Sequence, residues 1–370
     1  MPNTTETHAR RNGNHAAAPG LPEPVFHDPK HHIKIYQGDC VEILGNFPAE
    51  SVDLIFADPP YFLSNNGITC HAGRMVSVNK GEWDRSRGAD VNHEFNREWL
   101  AACQRVLKPN GTIWVSGTSH VIHSVGFAMQ QLEFKLLNDI SWVKPNPPPN
   151  LSCRYFTHAT ETIIWAAKNK KSRHTFHYKL MKEMAGNKQM KSVWEILPPS
   201  RDEKRFGKHP TQKPVKLLER ILLASSSRGD IVLDPFIGSG STAVAAFRLS
   251  RRVLGVDSAE EWTRLALQRV CFELVQSIMR VTIVQIRLDL CTRSVDRSDC
   301  VNDTTIGGTA TGKLVRRECN FYFVGAIRRD VVFAVAAEDM TQAWQKFHAS
   351  EVASTEILFV VKAETEIYLA

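Results

Sequence analysis

The chain has 370 residues, more than a single domain usually holds, and 43% of them are hydrophobic. No apolar run approaches the roughly 20 residues that a membrane helix needs, and the polar N-terminus lacks the apolar core of a signal peptide, so we expect a cytoplasmic protein without a membrane partner. The formal net charge is +7, and the eight cysteines form no C-x-x-C pair, which disfavours a metal site or a redox dithiol.

Residues 1–31 are polar and show no periodicity, so we expect a disordered tail. From residue 32 onwards, short β-type runs alternate with helical stretches. This alternation predicts an α/β fold of the Rossmann-like, doubly wound kind, in which a mostly parallel seven-stranded sheet lies between two layers of helices. The predicted strands cover residues 33–39, 52–58, 112–117, 140–144, 162–167, 231–234 and 252–257.

The strand at 52–58 ends in an unusual tetrapeptide, Asp58-Pro59-Pro60-Tyr61. Ligands of doubly wound sheets bind at the carboxyl ends of the strands, which makes these four residues candidates for a catalytic site. The prolines fix φ at about −65° and so aim the backbone carbonyl in advance. A structural interpretation stays open, in which Asp58 caps the next element and Tyr61 packs in the core.

Two segments at the ends of predicted strands carry candidate nucleic-acid contacts. The glycine-containing residues 62–88 predict either a mobile loop that closes over a ligand or an insertion without function. The proline-rich residues 144–156 predict a stiff, polyproline-like wall. The candidate contacts in these two segments are Arg74, Lys80, Arg85, Arg154 and Tyr155.

The segment 168–208 is strongly basic, with twelve Lys or Arg against four acidic residues. Aromatic side chains lie between the charges, so the segment can follow phosphates and stack on bases, although a solvated basic face is the alternative. We predict that it recognises the target, with Lys170, Lys171 and Arg173 among the contacts.

The strand at 231–234 runs into a glycine loop, Asp234-Pro235-Phe236-Ile237-Gly238-Ser239-Gly240. A G-x-G-x-x-A pattern begins at Gly238, as in dinucleotide sites, but this pattern alone is weak. Asp234 would repel a pyrophosphate and would suit a cationic ligand such as S-adenosylmethionine. Asp257, which ends the next strand, can accept hydrogen bonds from ribose hydroxyls of either ligand, and Asp39 can reach an adenine edge if its strand lies alongside.

The last hundred residues differ in character from the rest. Residues 273–312 are polar and predict a linker, and residues 313–370 predict a small C-terminal α+β unit with a helix in MTQAWQKFHA. Three roles for this unit stay open: formation of a homodimer, docking of a partner, or an unrelated fusion.

Three motifs, DPPY, HPTQKP and DPFIGSGS, together resemble the amino-methyltransferases of DNA. DPPY precedes the glycine loop, which is the order found in the β class of these enzymes, and the resemblance covers residues 32–272. The stretches FADPPYFLSN, VSVNKGEWD, NLSCRYFTHATETIIWA and KHPTQKP look like the second adenine methyltransferase of GATC-type restriction–modification systems.

The resemblance implies a site-specific enzyme that transfers a methyl group from S-adenosylmethionine to the N6 amine of a flipped-out adenine in GATC, and also in single strands. It implies DNA as substrate, with a cognate restriction endonuclease and a companion methyltransferase as partners. It places Thr211 and Lys213 near the methionine carboxylate of the cofactor. The other implied cofactor residues are Asp39, Asp234, Phe236, Gly238, Ser239, Gly240 and Asp257.

The amine of adenine is a weak nucleophile because its lone pair is delocalised into the ring. Asp58 can accept one amine hydrogen and the carbonyl of Pro59 the other, which directs the lone pair at the methyl group. Tyr61 can stack on a base rotated out of the helix. Three alternatives stay open: methylation of the cytosine N4 amine, a catalytically silent DNA-binding regulator, and an NAD-dependent oxidoreductase, which leaves DPPY unexplained.

Overall fold

The computed structural model describes residues 22–64, 68–71, 74–77, 84–274, 276, 316–326, 332–336 and 357–368. Its strands, numbered along the chain, are β1 (Phe26–Asp28), β2 (Ile33–Gln37), β3 (Val52–Ala57), β4 (Ile68–His71), β5 (Arg74–Ser77), β6 (Leu107–Gly117), β7 (Lys135–Val143), β8 (Thr160–Ala167), β9 (Val193–Glu195), β10 (Ile231–Asp234), β11 (Arg252–Asp257), β12 (Arg316–Ala326), β13 (Val332–Ala336) and β14 (Ile357–Tyr368).

A nine-stranded mixed sheet forms the centre of the fold, in the order β1-β2-β11-β10-β3-β6-β8-β7-β9. Five neighbouring strands of this sheet are parallel to one another: β2, β11, β10, β3 and β6. On one side of them β8 runs antiparallel between β6 and β7, and on the other β1 is an antiparallel edge strand. The parallel strands are apolar along almost their whole length because helices cover both faces, and in β3 only Asp53 is not fully buried.

Two layers of helices produce two hydrophobic cores, one on each face of the sheet. Helices α1, α2 and α3 pack on one face, and α5, α6 and α7 pack on the other. The helices are α1 (Cys40–Gly45), α2 (Ala89–Val106), α3 (Ile122–Gln131), α4 (Tyr178–Met184), α5 (Val215–Ser225), α6 (Ser241–Arg248) and α7 (260–274). Among the helices described, none is both long and apolar enough to cross a membrane.

The predicted Rossmann-like fold class is confirmed, but the strand count differs from seven. The two additional strands, β1 and β9, have three residues each and lie at the sheet edges, so they are too short to show a periodicity in the sequence. β1 falls within the residues predicted to be a disordered tail. A β4–β5 hairpin also lies within the segment predicted as a loop at 62–88.

The C-terminal residues contain a three-stranded antiparallel sheet in the order β13-β12-β14. These strands lie within residues 313–370, the small α+β unit predicted from the sequence. The predicted helix at 340–349, most of the predicted linker and residues 1–21 lie outside the described residues.

The parallel strands bring four distant parts of the sequence together at one edge of the sheet. β2, β11, β10 and β3 are consecutive neighbours, so their carboxyl ends lie side by side. Asp39 follows β2, Asp257 ends β11, the glycine loop follows β10, and Asp58 follows β3. We call this edge the carboxyl edge, and the opposite one the amino edge.

Candidate active site

Asp58 lies at the carboxyl edge with both carboxylate oxygens engaged. Oδ1 accepts hydrogen bonds from the Tyr61 hydroxyl at 2.6 Å and from Ser116 Oγ at 2.5 Å. Oδ2 accepts one from Lys213 Nζ at 2.6 Å. The side chain of Asp58 is only 11% exposed, so these neighbours set its orientation.

Glu161, from β8, adds a second carboxylate to this cluster. Its Oε2 lies 3.2 Å from the Tyr61 hydroxyl and 3.5 Å from Lys213 Nζ, and its Oε1 is paired with Lys144. Burial alone would raise the pKa of Glu161, but the charges of Lys213 and Lys144 outweigh it and lower this pKa to about 2. Glu161 is therefore ionised at neutral pH.

Lys213 lies between the two carboxylates, and its side chain is 5% exposed. Burial would lower the pKa of Lys213, but Asp58 and Glu161 raise it, so the ammonium stays charged. Tyr61 is 3% exposed, and burial followed by the neighbouring acids raises the pKa of its hydroxyl well above the ordinary value. Because Lys213 Nζ lies 5.3 Å from the centre of the Tyr61 ring, one face of that ring is covered.

Asp84 fixes the backbone that follows Asp58. Its fully buried carboxylate accepts hydrogen bonds from the backbone N–H groups of Tyr61, Phe62 and Leu63 at 2.8–3.1 Å. The hydroxyl of Ser64 donates to the same carboxylate at 2.9 Å. Three consecutive amides are thus held by one side chain, which sets the direction in which DPPY leaves β3.

The glycine loop depends on two left-handed residues, Gly238 at φ +47° and Gly240 at φ +77°. A Cβ on Gly240 would lie 2.8 Å from the backbone and side chain of Ala266 in α7, so no larger residue fits there. Asp234 accepts from Phe236 N at 3.0 Å and from the Thr242 hydroxyl. Burial raises the pKa of Asp234 to about 7.

Arg269 holds the same loop from α7. Its Nη1 donates to the carbonyl oxygen of Ser239 at 2.8 Å, to Ser239 Oγ at 3.0 Å and to Ser241 Oγ at 2.9 Å. Ser241 Oγ in turn donates to the carbonyl oxygen of Lys213 at 2.7 Å. Burial lowers the pKa of Arg269 to about 10, which still leaves the guanidinium charged at neutral pH.

A cleft of about 270 Å³ opens at the carboxyl edge beside Asp58. The carboxylates of Asp39 and Asp257 lie on its wall together with Asp58. Asp257 accepts from Gly238 N at 2.9 Å, and burial raises the pKa of Asp257. The remaining lining residues are Gly38, Cys40, Pro60, Arg87, Phe95, His209, Thr211, Pro235, Phe236, Gly238, Ser258, Ala259 and Trp262.

These residues fit S-adenosylmethionine by their chemistry. Three carboxylates suit a ligand with an ammonium and a sulfonium group, and ribose hydroxyls can donate to an acid at the end of a strand. Phe236, Phe95 and Trp262 supply an apolar wall for a purine ring. Asp39, which also caps α1 through Val41 N at 2.8 Å, is exposed and accessible from this cleft.

The predicted cofactor residues divide into two groups. Asp39, Phe236, Gly238, Asp257 and Thr211 line the cleft. The others do not line it: Asp234, Ser239 and Gly240 maintain the shape of the glycine loop, and Lys213 contacts Asp58 instead.

The predicted DNA contacts also divide. Arg154 and Tyr155 are exposed on residues 144–159, which join β7 to β8 at the carboxyl edge, and Arg85 is exposed next to Asp84. The backbone of Arg74 lies in β5, and Lys80 lies outside the described residues.

Lys170, Lys171 and Arg173 lie at the amino edge, away from Asp58. This part of the chain is fixed to the start of β6, since Lys168 Nζ donates to Leu107 O at 2.7 Å and Arg173 N to Asn110 Oδ1 at 2.9 Å. A strand of six residues is about 20 Å long, so the two edges of the sheet are separated by about that distance. The structure therefore does not bring these three residues to the catalytic cluster, because β8 runs antiparallel to β6 and delivers them to the far edge.

Sequence reasoning missed Glu161, Asp84 and Arg269. Glu161 had a usable signal, an acid just before the apolar run of β8. Asp84 and Arg269 had none, because a charged residue in a loop or a helix is ordinarily solvated.

Comparisons with known proteins agree on one family. A family model described as a DNA methylase matches residues 52–268. The chain is 54% identical over 242 residues to the type II methyltransferase M2.DpnII of Streptococcus pneumoniae, which covers 65% of this chain and 90% of that protein. It is likewise 54% identical over 242 residues to the type II methyltransferase M2.LlaDCHI of Lactococcus lactis subsp. cremoris, with the same coverage.

A solved structure shows the same fold. The PvuII DNA methyltransferase, described as cytosine-N4-specific, matches with a TM-score of 0.53 and 20% sequence identity over 66% of this chain and 88% of that one.

Proposed function

Because the chain belongs to the DNA methylase family, it is a DNA methyltransferase that uses S-adenosylmethionine, and we propose that it methylates the N6 amine of adenine. The observation that carries this proposal is the position of Asp58. Its buried carboxylate, held by Tyr61 and Lys213, borders the cleft that is lined by Asp39 and Asp257.

The residues of DPPY prepare the amine for transfer. We infer that Asp58 accepts one amine hydrogen and the carbonyl of Pro59 accepts the other, which localises the nitrogen lone pair. Pro60 keeps that carbonyl fixed, and Asp84 holds the residues that follow. When it is bound, S-adenosylmethionine supplies a methyl group on a positively charged sulfur, and Asp39 and Asp257 are the residues that would hold its polar groups.

The choice of base rests on the first residue of the motif. Aspartate at this position is usual in the adenine enzymes that the chain resembles, whereas the cytosine-amine enzymes more often have serine. The sequence has no Pro-Cys dipeptide of the kind that marks methylation of a cytosine ring carbon. Stacking of a flipped base on Tyr61 is part of the proposal, and it requires the buried ring to become accessible.

The target and the partners follow from the similarity to type II methyltransferases. We propose GATC as the target, in duplex and in single-stranded DNA, and a role beside a cognate restriction endonuclease and a companion methyltransferase. Such an enzyme would meet its DNA in the cytoplasm. Contacts with DNA would come from Arg85, Arg154 and Tyr155.

Mass spectrometry of nucleosides tests this function. DNA with and without GATC, as duplex and as single strands, is incubated with S-adenosylmethionine and either wild type or Asp58→Ala. We expect N6-methyladenine from wild type only, and only in DNA that contains GATC. Methylcytosine would overturn the choice of base, and binding of the cofactor without any methylation would favour a silent DNA-binding protein.

A further inference from the structure

We propose that Glu161 is a positioning residue for the catalytic carboxylate and connects it to the part of the chain that faces DNA. The inference rests on the proposed function, in which Asp58 accepts a hydrogen of the target amine. Glu161 itself does not touch Asp58; it acts through the two side chains that both acids share.

The shared contacts are short. Tyr61 donates to Asp58 at 2.6 Å and lies 3.2 Å from Glu161, while Lys213 lies 2.6 Å from Asp58 and 3.5 Å from Glu161. Of the three groups that hold Asp58, two, Tyr61 and Lys213, also contact Glu161, and the third is Ser116. A change at Glu161 therefore removes a partner from two of the three groups that restrain the carboxylate that must meet the amine.

Charge balance gives a second reason. Asp58, Lys213, Glu161 and Lys144 form a row of alternating charges, and three of these side chains are at most 11% exposed. A buried charge is tolerated when it is paired. Without Glu161 the row holds two cations and one anion, so Lys213 has no acid on its far side to keep it in place.

Lys144 extends the row to the surface that faces DNA. Its side chain is 24% exposed and pairs with Glu161. Its backbone N donates to Ala159 O at 2.8 Å, which closes the base of the residues that carry Arg154 and Tyr155. DNA held by those two residues would thus be linked to Asp58 through Lys144, Glu161 and Lys213.

The test is single-turnover methylation of GATC duplex, with wild type, Glu161→Gln and Lys213→Met. We expect both variants to be slower by about 10²-fold, as for a small displacement of a catalytic group. The loss should lie in the rate of the methylation step, because each change displaces Asp58 and neither residue lines the cleft.

Glu50→Gln is the matched control. Glu50 pairs with Lys168 at 2.9 Å at the amino edge, so this variant also removes the acid of a lysine pair and should keep the wild-type rate. The affinity of Glu161→Gln for S-adenosylmethionine, measured by calorimetry, should equal that of wild type, because Glu161 does not line the cleft.

Two results would overturn the inference. One is a Glu161→Gln enzyme with the wild-type rate; the other is a slow enzyme whose affinity for S-adenosylmethionine is also weakened, which indicates a merely structural role. If Glu161→Gln does not fold, Glu161→Asp is used, because it keeps the negative charge on a side chain that is one carbon shorter. A wild-type rate of this variant would also overturn the inference. A wild type that produces no methylated DNA would instead contradict the proposed function.

Discussion

Asp84 is the single side chain on which the geometry after β3 most depends, since three successive amides donate to it. Asp84→Asn replaces one acceptor oxygen with an N–H donor, and each buried amide left unpaired costs about 1–3 kcal/mol. We expect single-turnover methylation to fall at least tenfold while binding of S-adenosylmethionine in calorimetry is unchanged. The exposed Asp90 in the first turn of α2 gives a control, Asp90→Asn, that should keep the wild-type rate.

Asp234 predicts a pH dependence of stability. Its pKa is about 7 in the folded protein and 3.8 in the unfolded chain, so the folded state binds the proton more tightly. The contribution of Asp234 to the free energy of unfolding is therefore fully present below pH 3.8. It decreases as the pH rises from 3.8 to 7 and stays low above that range. Asp234→Asn mimics the protonated acid and avoids the loss.

Thermal unfolding of wild type and Asp234→Asn at pH 5 and pH 8.5 measures this effect. The variant should gain several degrees in Tm relative to wild type at pH 8.5, and less at pH 5. An equal difference at both values would mean that the acid is ionised throughout this range.

Single residues also show what the sequence could predict of the site. Asp58, Asp39 and Asp257 lie at the carboxyl ends of three different strands, and the rule that ligands bind there was sufficient to group them. Lys213 was recognised as part of the site, but its partner was not. A lysine two residues after Thr211 can face either the cleft or Asp58, and the sequence does not show that Asp58 and Glu161 both lie beside its ammonium group.

At the scale of elements, the contact between the glycine loop and α7 leaves no room for a side chain at Gly240. Gly240→Ala combines a positive φ with a Cβ at 2.8 Å from Ala266, so either α6 or α7 must move. We expect loss of cofactor binding in calorimetry and a destabilisation of more than about 1 kcal/mol in chemical unfolding.

Gly45→Ala is the control for this substitution. Nothing lies within 4 Å of a Cβ at Gly45, so stability and binding should be preserved. If the two variants had the same stability and the same affinity for cofactor, α7 would have to move away from the added methyl group at little cost in free energy.

Element boundaries explain why the sheet was only partly predicted. The central strands are continuous apolar runs that their sequences reveal, whereas β6 begins at Leu107 and includes LKPNG, which reads as a turn. The sequence does not indicate whether β8 runs parallel or antiparallel to β6, because a strand that is buried on both faces has the same apolar pattern in either direction. This reversal is why Lys170, Lys171 and Arg173 were expected at the site and lie at the amino edge instead.

For the whole molecule, the two edges of the sheet carry separate basic surfaces, and only one borders the active site. Arg154→Ala should weaken binding to GATC duplex and lower the slope of log affinity against log salt by about 1, because one phosphate contact is lost. Lys171→Ala removes a charge at the amino edge and should leave both quantities unchanged. Fluorescence anisotropy at several salt concentrations measures them, and equal losses would show that DNA also reaches the amino edge.

The HPTQKP segment touches both halves of the site within three residues. Thr211 lines the cofactor cleft, and Lys213 holds Asp58, where the target amine would bind. A shift of this segment by one ligand must be felt by the other, so the two binding equilibria share a coupling free energy. Reciprocity then requires that the factor by which cofactor changes the affinity for DNA equals the factor by which DNA changes the affinity for cofactor.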